Sequence, residues 1–398
     1  MLLLEGRIQN YAWGSVDSIP SILGVDPTGE PQAELWLGAH GLAPSDLPEQ
    51  GRDLRTWLSE HPEALGQRSV EAFGPRLPFL LKVLAAAQPL SLQAHPNREQ
   101  AEAGFAAENE RGLSLTDPRR SFKDDWPKPE MAVALTEFST LTGFRPAAQT
   151  AALFEGLGVA AELASVIGPL TQRSGSAALA EVFLDALSLS DERRGLVDMV
   201  VAAALRHLDS PGELGKFART AIELDEHYPG DRGILAALLL NRLDMAPGQA
   251  LHLYPGNMHA HLKGTCLEIM ASSDNVLRGG LTHKHIDVDS LVQVVDFVAE
   301  VPQLVEPDCS TPGLRHYPTP SPEFDLWMVE LGRRGQSEPV VLPAAEHARI
   351  LLVLDGYLAC ASAEETTELV KGQSAFIPAG EIVRVQGDAE AVLASTGA

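Results

Sequence analysis

The sharpest alternation of polar and apolar positions runs Pro89-Leu90-Ser91-Leu92-Gln93-Ala94-His95-Pro96. In an extended chain every second side chain shares a face. Ser91, Gln93 and His95 are therefore expected to point one way, and Leu90, Leu92 and Ala94 the other. Ala33–His40 sets Glu34 and Trp36 against Leu35 and Leu37, while Cys266–Met270 sets Glu268 against Leu267 and Ile269. Pro78–Leu84 is almost wholly apolar and carries one lysine, Lys82, as a buried strand with a single cation would. A strand from Gly248 meets a Pro255-Gly256-Asn257 turn and emerges with His259 and His261 on one face. Met131–Leu135 reads as a further strand, with Glu130 at its mouth and Lys128 held between two prolines.

Helical spacing appears over residues 52–66, as a short surface helix through Leu54, Trp57 and Leu58. Asn97 followed by Gln100 predicts a capping box opening a helix through Glu110. From about Pro146 to Leu240 alanine and leucine recur at helical spacing, and Ser210-Pro211-Gly212-Glu213 reads as another capping box. The last hundred residues return to strands with frequent turns, suggesting a small β-sandwich or barrel. Lys371–Ile382 echoes Gly248–His259: both run Gly-Gln, an apolar strand, a proline and a glycine. The later copy has no histidine where the earlier one has His259, so only the first is expected to hold a metal.

Composition narrows the setting. The 398 residues carry a formal net charge of −24, which argues against nucleic acid or an anionic membrane surface as a partner. Three cysteines without a CxxC pair fit free thiols in a reducing compartment. The opening Met1-Leu2-Leu3-Leu4 turns polar at Glu5 and Arg7, unlike a secretory leader, and no apolar run reaches membrane-span length. A soluble cytoplasmic protein is expected.

Gln93, His95, Glu130 and His259 together offer an amide oxygen, two imidazoles and a carboxylate, a donor set that suits zinc or a similar divalent ion. The stretches QNYAWGS, AELWLGAH, PFLLKVL, PLSLQAHP, KPEMA, YPGD, HAHL and ASSDNVLRGG spread from residue 9 to residue 280. In these the chain resembles the type I mannose-6-phosphate isomerases, also called phosphomannose isomerases. The resemblance implies a zinc-dependent aldose-ketose isomerase interconverting mannose 6-phosphate and fructose 6-phosphate, with one Zn2+ per chain on those four residues. It implies Arg278 as the active-site arginine of the Asp-Asn-x-x-Arg motif. The implied fold is mainly β: a cupin-like catalytic jelly roll from residues 1–145 and 241–305, a helical insertion over 146–240, and a second C-terminal jelly roll over 306–398 without a metal site.

For the chemistry, Glu268 is the candidate base, Lys128 a candidate for proton traffic at the sugar oxygens, and Arg278 a stabiliser of the enediolate or a phosphate ligand. An acidic protein that binds a phosphate needs a local cationic cluster. Ser91, Arg278 and Lys284 are the candidates, with Lys82 and Lys263 behind them, and Trp13 as a further substrate contact. The expected partner is the sugar phosphate alone, acting on a monomer. Three departures stand out: the family usually has tyrosine where His261 stands, proline at His283, and Asn-His at Trp126-Pro127. His261 is read as a core or surface histidine. The rival readings are an iron-dependent cupin oxygenase using His259 and His261, and a sugar-phosphate-binding cupin without turnover.

Overall fold

The computed structural model describes residues 1–173, 175–332 and 338–397. Two antiparallel sheets carry most of the strands. The larger is ordered Leu304–Val305, Ala250–Leu253, Glu130–Ala134, His259–Ala271, Phe79–Ala86, Glu34–Leu37 and Arg7–Gln9. The smaller runs Leu2–Leu4, Ser374–Ile377, Arg349–Ala361, Arg384–Ser395, Asp325–Leu331 and Leu314–Tyr317. The opening strand thus pairs with the end of the chain, Leu2 opposite Phe376. The sheets share a core in which Leu35, Val83, Val133 and Ile269 meet Leu326, Ile350, Phe376 and Val392.

The strand His259–Ala271 organises the first sheet. Its second half pairs with Phe79–Ala86 on one side and Glu130–Ala134 on the other, Glu268 lying opposite both Lys82 and Ala132. Its first half pairs instead with Phe138–Phe144 and with Gln93. The change of partners occurs at Gly264, whose φ of +113° only glycine adopts readily. The same strand therefore delivers His259, His261 and Glu268 to one cavity.

The alternation around Gln93 is only partly a strand. Gln93–Ala94 alone forms a ladder; Leu90 N–H bonds His261 O, and Leu92 N–H bonds Gly280 O. Leu92 and Ala94 join the core of the helical region with Phe154, Phe183 and Leu235. Leu90 parts from them and packs with Phe138 and Cys266. Threading between two neighbours, rather than pairing along one, breaks the strict two-residue period.

Helices between Ala147 and Ala237 form that region, including Ala147–Leu157, Ser176–Leu187, Gly195–Ala204 and Gly212–His227. The Asn97 capping box forms as expected, opening Arg98–Glu110. The one at Ser210 does not: the helix starts at Gly212 with Pro211 as its cap and no side-chain cap bond. Gly212 has φ +67°, so the chain turns before the helical run and Ser210 lies one residue too early. The expected 52–66 helix is shorter, Leu54–Glu60, capped by Asp53 and anchored inward by Leu54 and Leu58. It stops at His61 because a residue before proline disfavours helical backbone.

The internal repeat extends to backbone geometry. Gly248 and Gly372 have φ of +84° and +83°, and Gly256 and Gly380 both have +87°. Gln249 Oε1 accepts from Ala246 N–H at 2.8 Å, and Gln373 Oε1 from Val370 N–H at 3.0 Å. No helix of the described residues is long and apolar enough to cross a membrane.

A Cβ at Gly264 would lie 2.3 Å from Glu137 O, in a backbone region that L-residues avoid. Gly264→Ala should lower stability by about 2–3 kcal/mol. Urea unfolding with an unchanged midpoint would show that the bend tolerates a side chain.

Candidate active site

Among the described residues His95, Glu130 and His259 offer ligand atoms within 4.8 Å of one another, all buried. His95 Nε2 lies 3.3 Å from Glu130 Oε1, and His259 Nε2 lies 3.4 Å from Glu130 Oε2. The far nitrogens are committed elsewhere: His95 Nδ1 to Asn275 O at 2.7 Å, and His259 Nδ1 to Asn257 O at 3.2 Å. A carbonyl can only accept, so each Nδ1 carries its proton and each Nε2 presents a lone pair to the carboxylate. Burial pushes the His95 pKa down to about 4, which keeps that ring neutral. Its Nε2 is buried and without a hydrogen-bond partner. Lone pairs meeting in a dry interior repel unless a cation lies among them. The donor set and this orphaned nitrogen both fit a divalent metal, with backbone carbonyls orienting the imidazoles as is usual behind such sites. Gln93 is aligned opposite His259 in the ladder and lines the same cavity.

Lys128 Nζ reaches Glu130 Oε1 at 3.2 Å from its buried, proline-flanked position. Burial would raise the Glu130 pKa, but neighbouring positive charge, that of Lys128 included, outweighs it and holds the carboxyl well below the usual range. Asn275 ties this loop to the histidine. Its Nδ2 donates to Asp124 O and Trp126 O, and its Oδ1 accepts from Lys123 N–H, while its own carbonyl orients His95.

The cavity of about 650 Å³ contains a second group of charges. Lys82 Nζ lies 3.1 Å from Glu268 Oε2 and 3.6 Å from Glu34 Oε1. Trp36 Nε1 donates to Glu34 Oε2 at 2.8 Å. Burial alone would lower the lysine pKa; the two carboxylates reverse this and raise it above its ordinary value. His261 Nε2 stands 3.4 Å from Glu268 Oε1.

Nearer the mouth the cations are uncommitted. Arg278 is half-buried, has no carboxylate partner among the described residues, and has its pKa lowered by burial. Lys284, exposed, is lowered by partial burial and by the charges of Arg278 and Lys123. Ser91, Tyr11, Trp13 and His283 line the same opening, Tyr11 stacking on Trp13 at 5.7 Å.

A family model described as phosphomannose isomerase type I, catalytic domain, matches residues 1–147. The chain is 35% identical to mannose-6-phosphate isomerase of Escherichia coli, over 96% of this chain and 95% of that one. It is 30% identical to mannose-6-phosphate isomerase 1 of Arabidopsis thaliana, over 99% and 93%. A solved variant of the phosphomannose isomerase from Salmonella typhimurium matches with a TM-score of 0.90 at 32% identity, covering all of both chains. A mannose 6-phosphate isomerase structure bound with zinc and yttrium matches at 0.89 and 32%, again over both chains. The chain belongs to the type I mannose-6-phosphate isomerases.

Within this cupin-type isomerase fold, ten of the twelve residues singled out for the site line one cavity; His95 stands directly behind its wall, and Lys263 is exposed outside it. Lys82 differs from its expected phosphate role. Its ammonium is already held by Glu34 and Glu268, whose negative charges oppose a phosphate there. Lys123 takes its place among the free cations. Sequence reading passed it over because nothing in Ser121–Glu130 marks one lysine as mouth-facing and the next as buried. Glu34 was legible only as the polar face of an alternating strand; the buried Lys82 is the signal that an acid had to stand opposite. His261 is a buried cavity residue. Trp126 is buried away from the cavity, between the guanidinium groups of Arg76 and Arg98 at 4.1 Å and 4.5 Å.

Burial would raise the Glu268 pKa, but Lys82 and the His261 contact lower it below its ordinary 4.5. The stability gained from its ionisation is full above that value and is lost as pH falls through the lower folded value. Glu268→Gln lacks this component, so the stability gap to the parent protein should narrow between about pH 5 and about pH 3. Parallel unfolding curves across that window would contradict the pairing.

Proposed function

We propose that this chain interconverts D-mannose 6-phosphate and D-fructose 6-phosphate, using one Zn2+ held by Gln93, His95, Glu130 and His259. The carrying observation is the meeting of two bare imidazole nitrogens and a buried carboxylate beside a cluster of unpaired cations in one cavity. Bound there, zinc would polarise the sugar's carbonyl and hydroxyl oxygens.

The chain's own residues do the rest. Arg278, Lys284, Lys123 and Ser91 hold the phosphate, and Trp13 walls the opening. Glu268 takes the proton from C2 of the open-chain aldose and returns it to C1. Lys128 carries the proton that leaves the hydroxyl oxygen to the former carbonyl oxygen. Atoms balance through an enediol, and no outside oxidant is needed. Lys82 keeps Glu268 ionised, which favours the proton-accepting form at the expense of basicity. The same reading divides the chain into a catalytic unit from 1–145 and 241–305, a helical insertion over 146–240 and a C-terminal unit over 306–398. It also assigns a monomer to the cytoplasm. Free Cys266, Cys309 and Cys360 support a reducing compartment.

A coupled assay for fructose 6-phosphate should show activity that a chelator removes and zinc restores. A folded, zinc-loaded sample without turnover would overturn the proposal. Arg278→Ala should lower kcat/KM by about a hundredfold or more while zinc content stays at the parent level. Parental turnover in that variant would remove Arg278 from the reaction.

A further inference from the structure

His261 is a buried cavity histidine whose position the metal centre does not explain. Its ring is buried, edge-on to Phe138 at 5.0 Å between centroids and 5.9 Å from the His259 ring. Nε2 has no hydrogen-bond partner, yet it stands 3.4 Å from Glu268 Oε1. Nδ1 lies 3.1 Å from Thr140 Oγ1, which is also 3.1 Å from Ala260 O and 3.3 Å from Leu141 O. Threonine has one hydroxyl proton to give, so for a neutral ring there are two arrangements. If Thr140 donates to Ala260 O, Nδ1 must carry the ring proton, and a bare Nε2 faces a carboxylate in a dry interior. If Thr140 donates to Nδ1, the ring proton moves to Nε2 and lies between the ring and Glu268. The second arrangement removes the repulsion and satisfies the orphaned nitrogen.

We propose that His261 is a positioning residue for the isomerisation: Thr140 sets its Nε2–H tautomer, and that N–H holds Glu268 Oε1 while Lys82 holds Oε2. The carboxylate is then fixed at both oxygens and cannot turn about its terminal bond. A base that must reach two adjacent carbons in one turnover gains from such fixing, because small misplacements cost large factors in rate. Phe138 and His259 pack the ring so that it cannot swing away. This rests on the isomerase reading and on Glu268 as the proton carrier, and adds to it the group that aims the carrier.

The test compares the zinc-loaded parent protein with His261→Phe, His261→Gln, Thr140→Val, Glu268→Gln and the double variant His261→Phe/Glu268→Gln. Kcat, KM and zinc per chain are measured for each. His261→Phe should lose between about ten- and a hundredfold in kcat, with KM changed less than about threefold and zinc unchanged. Glutamine offers an amide N–H in a similar place, so His261→Gln should recover most of that loss. Thr140→Val should lose kcat in the same sense but less. In the double variant the His261 loss should vanish, because there is no carboxylate left to aim. Nitrogen shifts of His261 in the parent protein should report a protonated Nε2.

Parental kcat in His261→Phe, a Gln variant no faster than the Phe variant, full additivity with Glu268→Gln, or a bare Nε2 would each overturn the proposal. Should His261→Phe fail to fold, Thr140→Val and the nitrogen shifts still decide it. An inactive parent protein would instead remove the isomerase reading, while the tautomer would continue to report the pairing by itself.

Discussion

A buried carboxylate faced by two imidazole lone pairs is the constraint on which this site depends. Glu130, His95 and His259 come from three separate stretches of chain, and each imidazole is turned inward by a backbone carbonyl behind it. Without a cation among them the arrangement costs free energy, since desolvated acceptors repel. Lys128 offsets part of this from the carboxylate side. The proline-bracketed loop and the Asn275 network therefore have a physical reason to be rigid. They hold the lysine and the His95 carbonyl partner in register with a charge that cannot be left unbalanced.

The cavity divides its cations by commitment. Lys82 and Lys128 are buried and paired with carboxylates, Lys82 with Glu268 and Glu34 and Lys128 with Glu130. Lys284 is held below its ordinary pKa by burial and by the charges of Arg278 and Lys123, and these three mouth cations have no carboxylate partner among the described residues. In a chain of net charge −24 a dianion is repelled on average. The local cluster at the mouth reverses that field over a short range. Screening in salt leaves the close contacts largely intact and removes the long-range repulsion first.

One strand makes these groups neighbours. His259–Ala271 changes partners at Gly264, and so reaches the Gln93 segment with one half and Lys82 with the other. The helices pack behind the Gln93 segment through Leu92 and Ala94, which presents Gln93 to the cavity. The C-terminal sheet repeats the Gly-Gln turn geometry of Gly248 and Gln249 at Gly372 and Gln373. Its corresponding strand packs apolar side chains, and it serves as a wall for the first sheet.

The sequence alone determined the mainly β character, the helical stretch near its centre, the family and the donor set. Those properties lie in local periodicity and in short motifs, each contiguous although the motifs themselves are far apart along the chain. Glu268 pointing away from Leu267 and Ile269, and the Asn97 capping box, were legible for the same reason. Where several contacts compete for one segment, the pattern misled: Leu90 left its row, and Ser210 lost its cap to a turn at Gly212. Only the tertiary structure decided which cations are spent on carboxylates and which remain free. It also showed that His261 stands against Glu268 and that the first strand completes the last sheet. Each of these is a contact between residues far apart in sequence, and its energy depends on burial and on third partners that no local pattern encodes.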